Sequence, residues 1–132
     1  MKTHKLKRQH GLVGVIDKIN GQEIIPAKYN SIEILLDKYF DCKSETGRAV
    51  LNTRNTVLFN FDSNQLDNHF SVQGNTYKIF CTEQNGNSLI YYGENTDNKT
   101  SEEMNVLKII ISGDKVKKAY CKKDEMEPYF WD

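Results

Sequence analysis

Apolar positions along this chain recur mostly at a period of two, the spacing of strands with one face buried. Val116 and Tyr120 stand among Lys115, Lys117 and Lys118, which predicts a strand with one wet face. Residues 106–111, then Gly113-Asp114, then residues 115–121 read as a hairpin with a glycine-led turn. Asn20-Gly21 and Asn85-Gly86, each flanked by apolar or β-branched residues, signal further hairpins, because a type I′ turn needs the positive φ that Asn and Gly tolerate. Helical spacing competes only over residues 29–40, where Ile32, Leu35, Leu36 and Phe40 could share a face. Ile32-Glu33-Ile34 also alternates, and the β-rich setting favours a strand there. Residues 60–68 and 94–103 are polar, lack an apolar period and read as loops. The expectation is an all-β fold, or a β-rich one with at most a short helix, made of antiparallel hairpins in a sheet or small barrel.

A weak repeat organises these elements. Cys42, Cys81 and Cys121 are separated by 39 and 40 residues. Phe40-Asp41-Cys42-Lys43 is followed by Gly47 and then Ala49-Val50-Leu51; Ile79-Phe80-Cys81-Thr82 is followed by Gly86 and then Ser88-Leu89-Ile90-Tyr91. An earlier copy without the cysteine runs through Leu6, Gly11 and Gly14-Val15-Ile16, and a last one runs from Tyr120-Cys121 to Tyr129-Phe130-Trp131. The expected organisation is one domain, residues 1–132, of about four degenerate strand-turn-strand units. In it the cysteines occupy equivalent strand positions, with Cys42 and Cys81 mostly buried, and residues 129–132 form a final strand.

Within the first unit, Val13-Gly14-Val15-Ile16-Asp17, Asn20-Gly21, Ile24-Ile25-Pro26 and Lys28-Tyr29-Asn30 resemble the bacterial WG repeat. That unit runs Trp-Gly, an apolar pair, Asp, a turn glycine, an apolar pair, Pro and Tyr-Asp. Val13 stands where the family has tryptophan, Arg48-Ala49 replaces the dipeptide in the second copy, and the match is confined mainly to residues 13–32. The resemblance implies a β-rich, repeat-like fold and a binding or scaffold role in bacteria, with divergent small relatives among toxin-immunity proteins. It implies no reaction: its motif positions are structural, with glycines for turns, Pro26 for a bend and Tyr29 for packing.

Composition narrows the function classes. The 132 residues carry 18 basic and 18 acidic side chains, so no global field draws nucleic acid or an anionic membrane. The apolar runs are too short for a signal peptide or a membrane span, and the cytoplasm is the expected address. An odd number of widely spaced cysteines fits neither a disulfide framework nor a zinc ribbon.

Candidate chemistry is thin. His4, His10, His69 and the cysteines form no local pair of metal-ligand spacing; the histidines read as surface residues and the cysteines as small apolar ones. No Gly-x-Ser-x-Gly word, catalytic-cysteine context or phosphate-binding glycine loop is present. Glu102-Glu103 and Asp124-Glu125 are adjacent, so on a strand each pair points to opposite faces and reads as solvated charge rather than an acid/base couple. No cofactor and no metal is expected. An RNA-binding reading would use Lys108, Lys115, Lys117, Lys118, Lys122 and Lys123 with Tyr120 as a stacking platform, diluted by Asp114, Asp124 and Glu125.

These features favour a non-catalytic protein-binding module, most specifically an immunity protein that binds and neutralises a cognate bacterial toxin. Its expected contacts are Asp62, Asp67, Glu94, Asp97, Glu102 and Glu103, which would meet a basic, nuclease-like surface, and Tyr91 and Tyr92, of which alternation should bury one and expose the other. The alternative is a small enzyme or ligand-binding β-barrel with tyrosines lining a pocket.

Overall fold

The computed structural model describes residues 2–61, 68–97, 100 and 102–122. The chain is all-β, in three antiparallel sheets, one of them curled as a half-barrel, and divides into two compact units, Met1–Asp67 and Asn68–Asp132.

In the first unit, β1 (His4–Gln9), β2 (Leu12–Asp17) and β3 (Glu23–Tyr29) form one sheet; β4 (Ser31–Leu35), β5 (Tyr39–Ser44), β6 (Gly47–Leu51) and β7 (Val57–Asn60) form another. The disputed stretch 29–40 is strand, turn and strand, as its alternation favours. Only Asn30 separates β3 from β4, yet β3 pairs with β2 and β4 pairs with β5, so the chain changes sheet within one residue. Val13, Val15, Ile25, Ile32, Phe40, Cys42 and Leu51 make one core from the two sheets, with Leu6, Ile24, Tyr29, Ile34 and Ala49 packed at its margin. Tyr29 thus has the packing role expected of it.

Gly14 sets the geometry of the β2–β3 pair. A Cβ there would lie 2.4 Å from Ile25 O, 2.7 Å from Ala27 N and 2.8 Å from Pro26 C, all backbone atoms that cannot swing aside. The register slips at this place: Val13 faces Tyr29 while Val15 faces Ile25, so β3 holds extra residues around Pro26. A proline within a strand is tolerated at such a bulge, and the close approach needs a residue without a side chain.

In the second unit, β8 (His69–Val72), β9 (Asn75–Asn85), β10 (Ser88–Asn95), β11 (Val106–Ser112) and β12 (Lys115–Cys121) form a five-stranded sheet in the order β12-β11-β10-β9-β8. Gly93 plays a part like that of Gly14, since a Cβ there would meet the Phe70 ring at 2.8 Å, and the β9–β10 register shifts beside it. Phe70 can then stack on Tyr77 at a ring separation of 5.5 Å.

The turns differ in detail from the hairpin signals. Gly113-Asp114 is the expected glycine-led turn, with Gly113 at φ 61° between paired Ser112 and Lys115. At Asn85-Gly86 the turn sits one residue later: Asn85 pairs with Ser88, and Gly86, at φ 60°, and Asn87 form the loop. Asn20-Gly21 does not make a type I′ turn, because only Gly21 has positive φ and the loop spans residues 18–22, closed by Asp17 N donating to Gln22 O at 2.9 Å. Asp17 Oδ1 accepts the amides of Ile19 and Asn20 and draws the chain into this wider loop. Two-residue turns with both φ positive occur instead at His10-Gly11 and Gln73-Gly74.

The cysteine spacing does not mark equivalent turns. Gly47 is the first residue of β6 whereas Gly86 is a turn residue, and Cys42 faces Ala49 while Cys81 faces Tyr92. Cys42 is buried, but Cys81 is only half-buried, against the expectation for it, because it lies at the margin of a small cluster of Tyr92 and Val106. The expected final strand at residues 129–132 lies outside the described residues.

Replacing Gly14 with Ala is expected to destabilise the protein by about 1–3 kcal/mol or more, the cost of overpacking against atoms that cannot yield. Thermal melting checks this, and a melting temperature equal to that of the unsubstituted protein would contradict the close approach.

Candidate functional site

Burial decides which predicted contact residues can meet a partner. Tyr91 and Tyr92 are 1% and 6% exposed, so neither is a surface anchor and the expectation of one exposed tyrosine is overturned. The reason is that β10 is covered on both faces where they stand. Tyr91 lies opposite Ile109 among the fully buried positions, and Tyr92 lies on the other face in the Tyr92–Val106 cluster with Cys81, Ile90 and Cys121 at its edge. The Tyr92 hydroxyl donates to Glu83 Oε2 at 2.9 Å, which satisfies its polar end. Glu94 is not a loop residue: it is on β10, between Lys78 of β9 and Val106 of β11, and is half-buried. Asp62 and Asp67 lie outside the described residues.

Asp97, Glu102 and Glu103 are exposed on the connection between β10 and β11. Its base is fixed by buried asparagines: Asn95 N donates to Asn105 O at 2.8 Å, and Asn95 Oδ1 accepts from Asp97 N at 2.7 Å. Thr96 ties it to the start of β9, its amide and hydroxyl both donating to Thr76 O at 3.0 and 3.2 Å. Further out, Glu103 Oε2 accepts from Thr100 N at 2.7 Å while Glu103 N donates to Thr100 O at 3.1 Å. This is the carboxylate half of a capping box, closing a turn instead of starting a helix. Glu103 is therefore engaged within the loop, and Asp97 and Glu102 are the acids directed to solvent contact. Met104, which sequence reasoning missed, follows Glu103 on the same connection and is 54% exposed. Its only sequence signal is a single apolar residue in an otherwise polar stretch.

The basic cluster is divided by the pleat. Lys118 and Tyr120 lie opposite Ile109 and Leu107 on one face of β12, while Lys117 and Lys108 lie on the other, opposite Ile110 and Ala119. Tyr120 thus does not share a face with Lys108, Lys115 and Lys117. β12 is an edge strand, where lysines also keep other strands from adding.

Two carboxylates held by side-chain hydrogen bonds in the first unit were not foreseen. Arg48 donates to Asp41 through Nε at 2.9 Å and Nη2 at 2.7 Å, both side chains nearly inaccessible, with the guanidinium 4.6 Å from the Phe61 ring centroid. The pair bridges β5 and β6 diagonally, and its bidentate geometry fixes their register. Asp37 accepts from the amide and hydroxyl of Thr3 at 2.8 and 2.7 Å and from the amide and Nδ1 of His4 at 3.1 and 3.0 Å. His4 is therefore not a surface residue: its ring also meets Phe40 edge-on at 5.3 Å. Partial desolvation pushes the Asp37 carboxyl up, but the hydrogen bonds from Thr3 and His4 outweigh it and hold the group at about 2.

Neither Cys42 nor Cys81 is activated as a nucleophile. Burial, with Asp41 adding and Lys28 opposing, pushes the Cys42 thiol up to about 12; burial and Glu83 raise Cys81. Among the described residues no group of His, Cys, Asp and Glu gathers as a metal site. Among the described residues no helix is long and apolar enough to cross a membrane. Compared with protein-family models, curated proteins and solved structures, the chain matches none.

Two measurements follow from these environments. Asp37, lowered in the folded state, contributes stability above the unfolded carboxyl value near 4 and loses it as pH falls towards 2. Stability measured from pH 5 to 2 should fall more steeply in the unsubstituted protein than in Asp37→Asn, and parallel curves would contradict the assignment. Under native conditions a thiol reagent should label Cys81 and Cys121 well before Cys42; equal rates for all three would contradict the burial of Cys42.

Proposed function

We propose that this protein is a non-catalytic protein-binding module that engages its partner through residues 96–105, and most specifically that it is the cytoplasmic inhibitor of a bacterial toxin. The observation that carries the reading is Met104, an exposed apolar side chain next to Glu103, whose carboxylate and amide bond back to Thr100. A polarizable, adaptable side chain of this kind suits a binding surface, and the Thr100–Glu103 hydrogen bonds beside it limit the conformational freedom lost there on association. Asp97 and Glu102, exposed on the same connection, favour a partner that offers basic groups as well as an apolar pocket, the surface expected of an enzyme that acts on nucleic acid. Three of the sheet edges are protected in a way that fits this, since Lys5 and Lys7 on β1, Pro26 and Lys28 on β3 and the lysines of β12 discourage strand addition there. The resemblance of residues 13–32 to the WG repeat fits a module of this type, and the need for glycine at position 14 supports it.

The test is co-expression with the protein encoded immediately beside this one, followed by calorimetric titration. Met104→Asp is expected to weaken binding at least about tenfold, as for an interface hot spot, and Glu102→Lys to weaken it less, with melting temperatures unchanged. Unaltered affinity in both variants would contradict the assigned loop, and absence of any complex would contradict the toxin-inhibitor reading.

A further inference from the structure

We propose that β1 is an exchangeable strand: it opens from the first unit as one piece, and the vacated edge of β2 accepts the β1 of a second copy of this chain. The inference rests on the first unit alone and is independent of the reading of residues 96–105.

No residue of β1 is fully buried. Leu6 alone packs against the core cluster, and His4 adds an edge contact to Phe40. Apart from its ladder to β2, the strand is held mainly at one end, where Thr3 and His4 direct four hydrogen bonds to the single carboxylate of Asp37. That carboxylate sits on a turn whose residues Leu36 and Asp37 have φ of 54° and 52°, a conformation costly for residues with side chains. A strand with few apolar contacts and one polar clasp opens at lower free energy than the core around it.

The occupant of the vacated edge follows from register and hinge. β1 and β2 match over six residue pairs from His4–Asp17 to Gln9–Leu12, which places Leu6 opposite Val15 and over the core, and a second copy supplies the same strand. The hinge is only His10-Gly11, with φ of 54° and 78°; extending it returns His10 to an ordinary backbone conformation. Short, strained hinges are those that exchange elements between copies. Lys5, Lys7 and Arg8 on the outer strand oppose addition of a further strand, so reciprocal exchange closes as a dimer.

The experiment compares the unsubstituted chain, Asp37→Asn and Leu36→Gly, the last keeping the carboxylate while easing the turn. Amide exchange is read across residues 4–9 with β9 and β10 as internal reference, and mass is read by sedimentation after incubation at high concentration. Asp37→Asn is expected to speed exchange in residues 4–9 by about tenfold, with β9 and β10 unchanged, and to raise the dimer fraction. Leu36→Gly should stay monomeric, and excess synthetic peptide of residues 2–9 should return the Asp37→Asn dimer to monomer. Residues 4–9 exchanging no faster than 12–17 in any variant, an unaltered dimer fraction, or a dimer indifferent to the peptide would each overturn the proposal. Should Asp37→Asn lose protection in β9 and β10 as well, Thr3→Ala, which removes one donor from the clasp, takes its place with the same readouts, and the same results support or overturn the proposal.

Discussion

The close passage of β3 over Gly14 is the constraint on which the first unit depends. With Ile25 O at 2.4 Å and Ala27 N at 2.7 Å from where a Cβ would stand, no side chain fits, and β3 can approach only as a bulged strand around Pro26. The bulge brings Ile25 back into the core beside Val13 and Val15 and delivers the chain to Asn30, where it leaves one sheet for the next. Gly93 repeats the device against a different neighbour, an aromatic ring, and so permits the Phe70–Tyr77 stack. In both places a missing side chain produces the packing.

The pattern of alternating apolar residues was enough to read the all-β, antiparallel class, because that signal is local. Turn geometry was less legible. Asn20-Gly21 has the sequence of a two-residue turn, but Asp17 captures the amides of Ile19 and Asn20 and draws the chain into a wider loop. The exposure of Tyr91 and Tyr92 could not be read from their alternation, which says which face a residue is on and not whether that face is covered. The clasp at Asp37 and the Arg48–Asp41 pair join residues brought together by tertiary structure or by a diagonal across two strands, and a charged residue inside an apolar run was their only sign.

Of the predicted contact residues that the structure describes, Asp97 and Glu102 are left available, with Glu103 turned to the internal support of its own loop. Glu94 belongs to the sheet and the two tyrosines to buried clusters. What remains on the described part of that connection is two exposed acids and one exposed apolar side chain, between two inner strands of the sheet. This fits the proposed recognition role: the asparagines at 95 and 105 fix the loop base, and specificity would fall to a few exposed side chains.

The proposed recognition of a partner requires that residues 96–105 be the surface it covers. Amide exchange of this chain, alone and in complex with the protein encoded beside it, tests that requirement. New protection is expected in residues 96–105, with the edge strands β1 and β12 unaltered. Protection confined to those edge strands, with 96–105 exchanging as in the free protein, would contradict it.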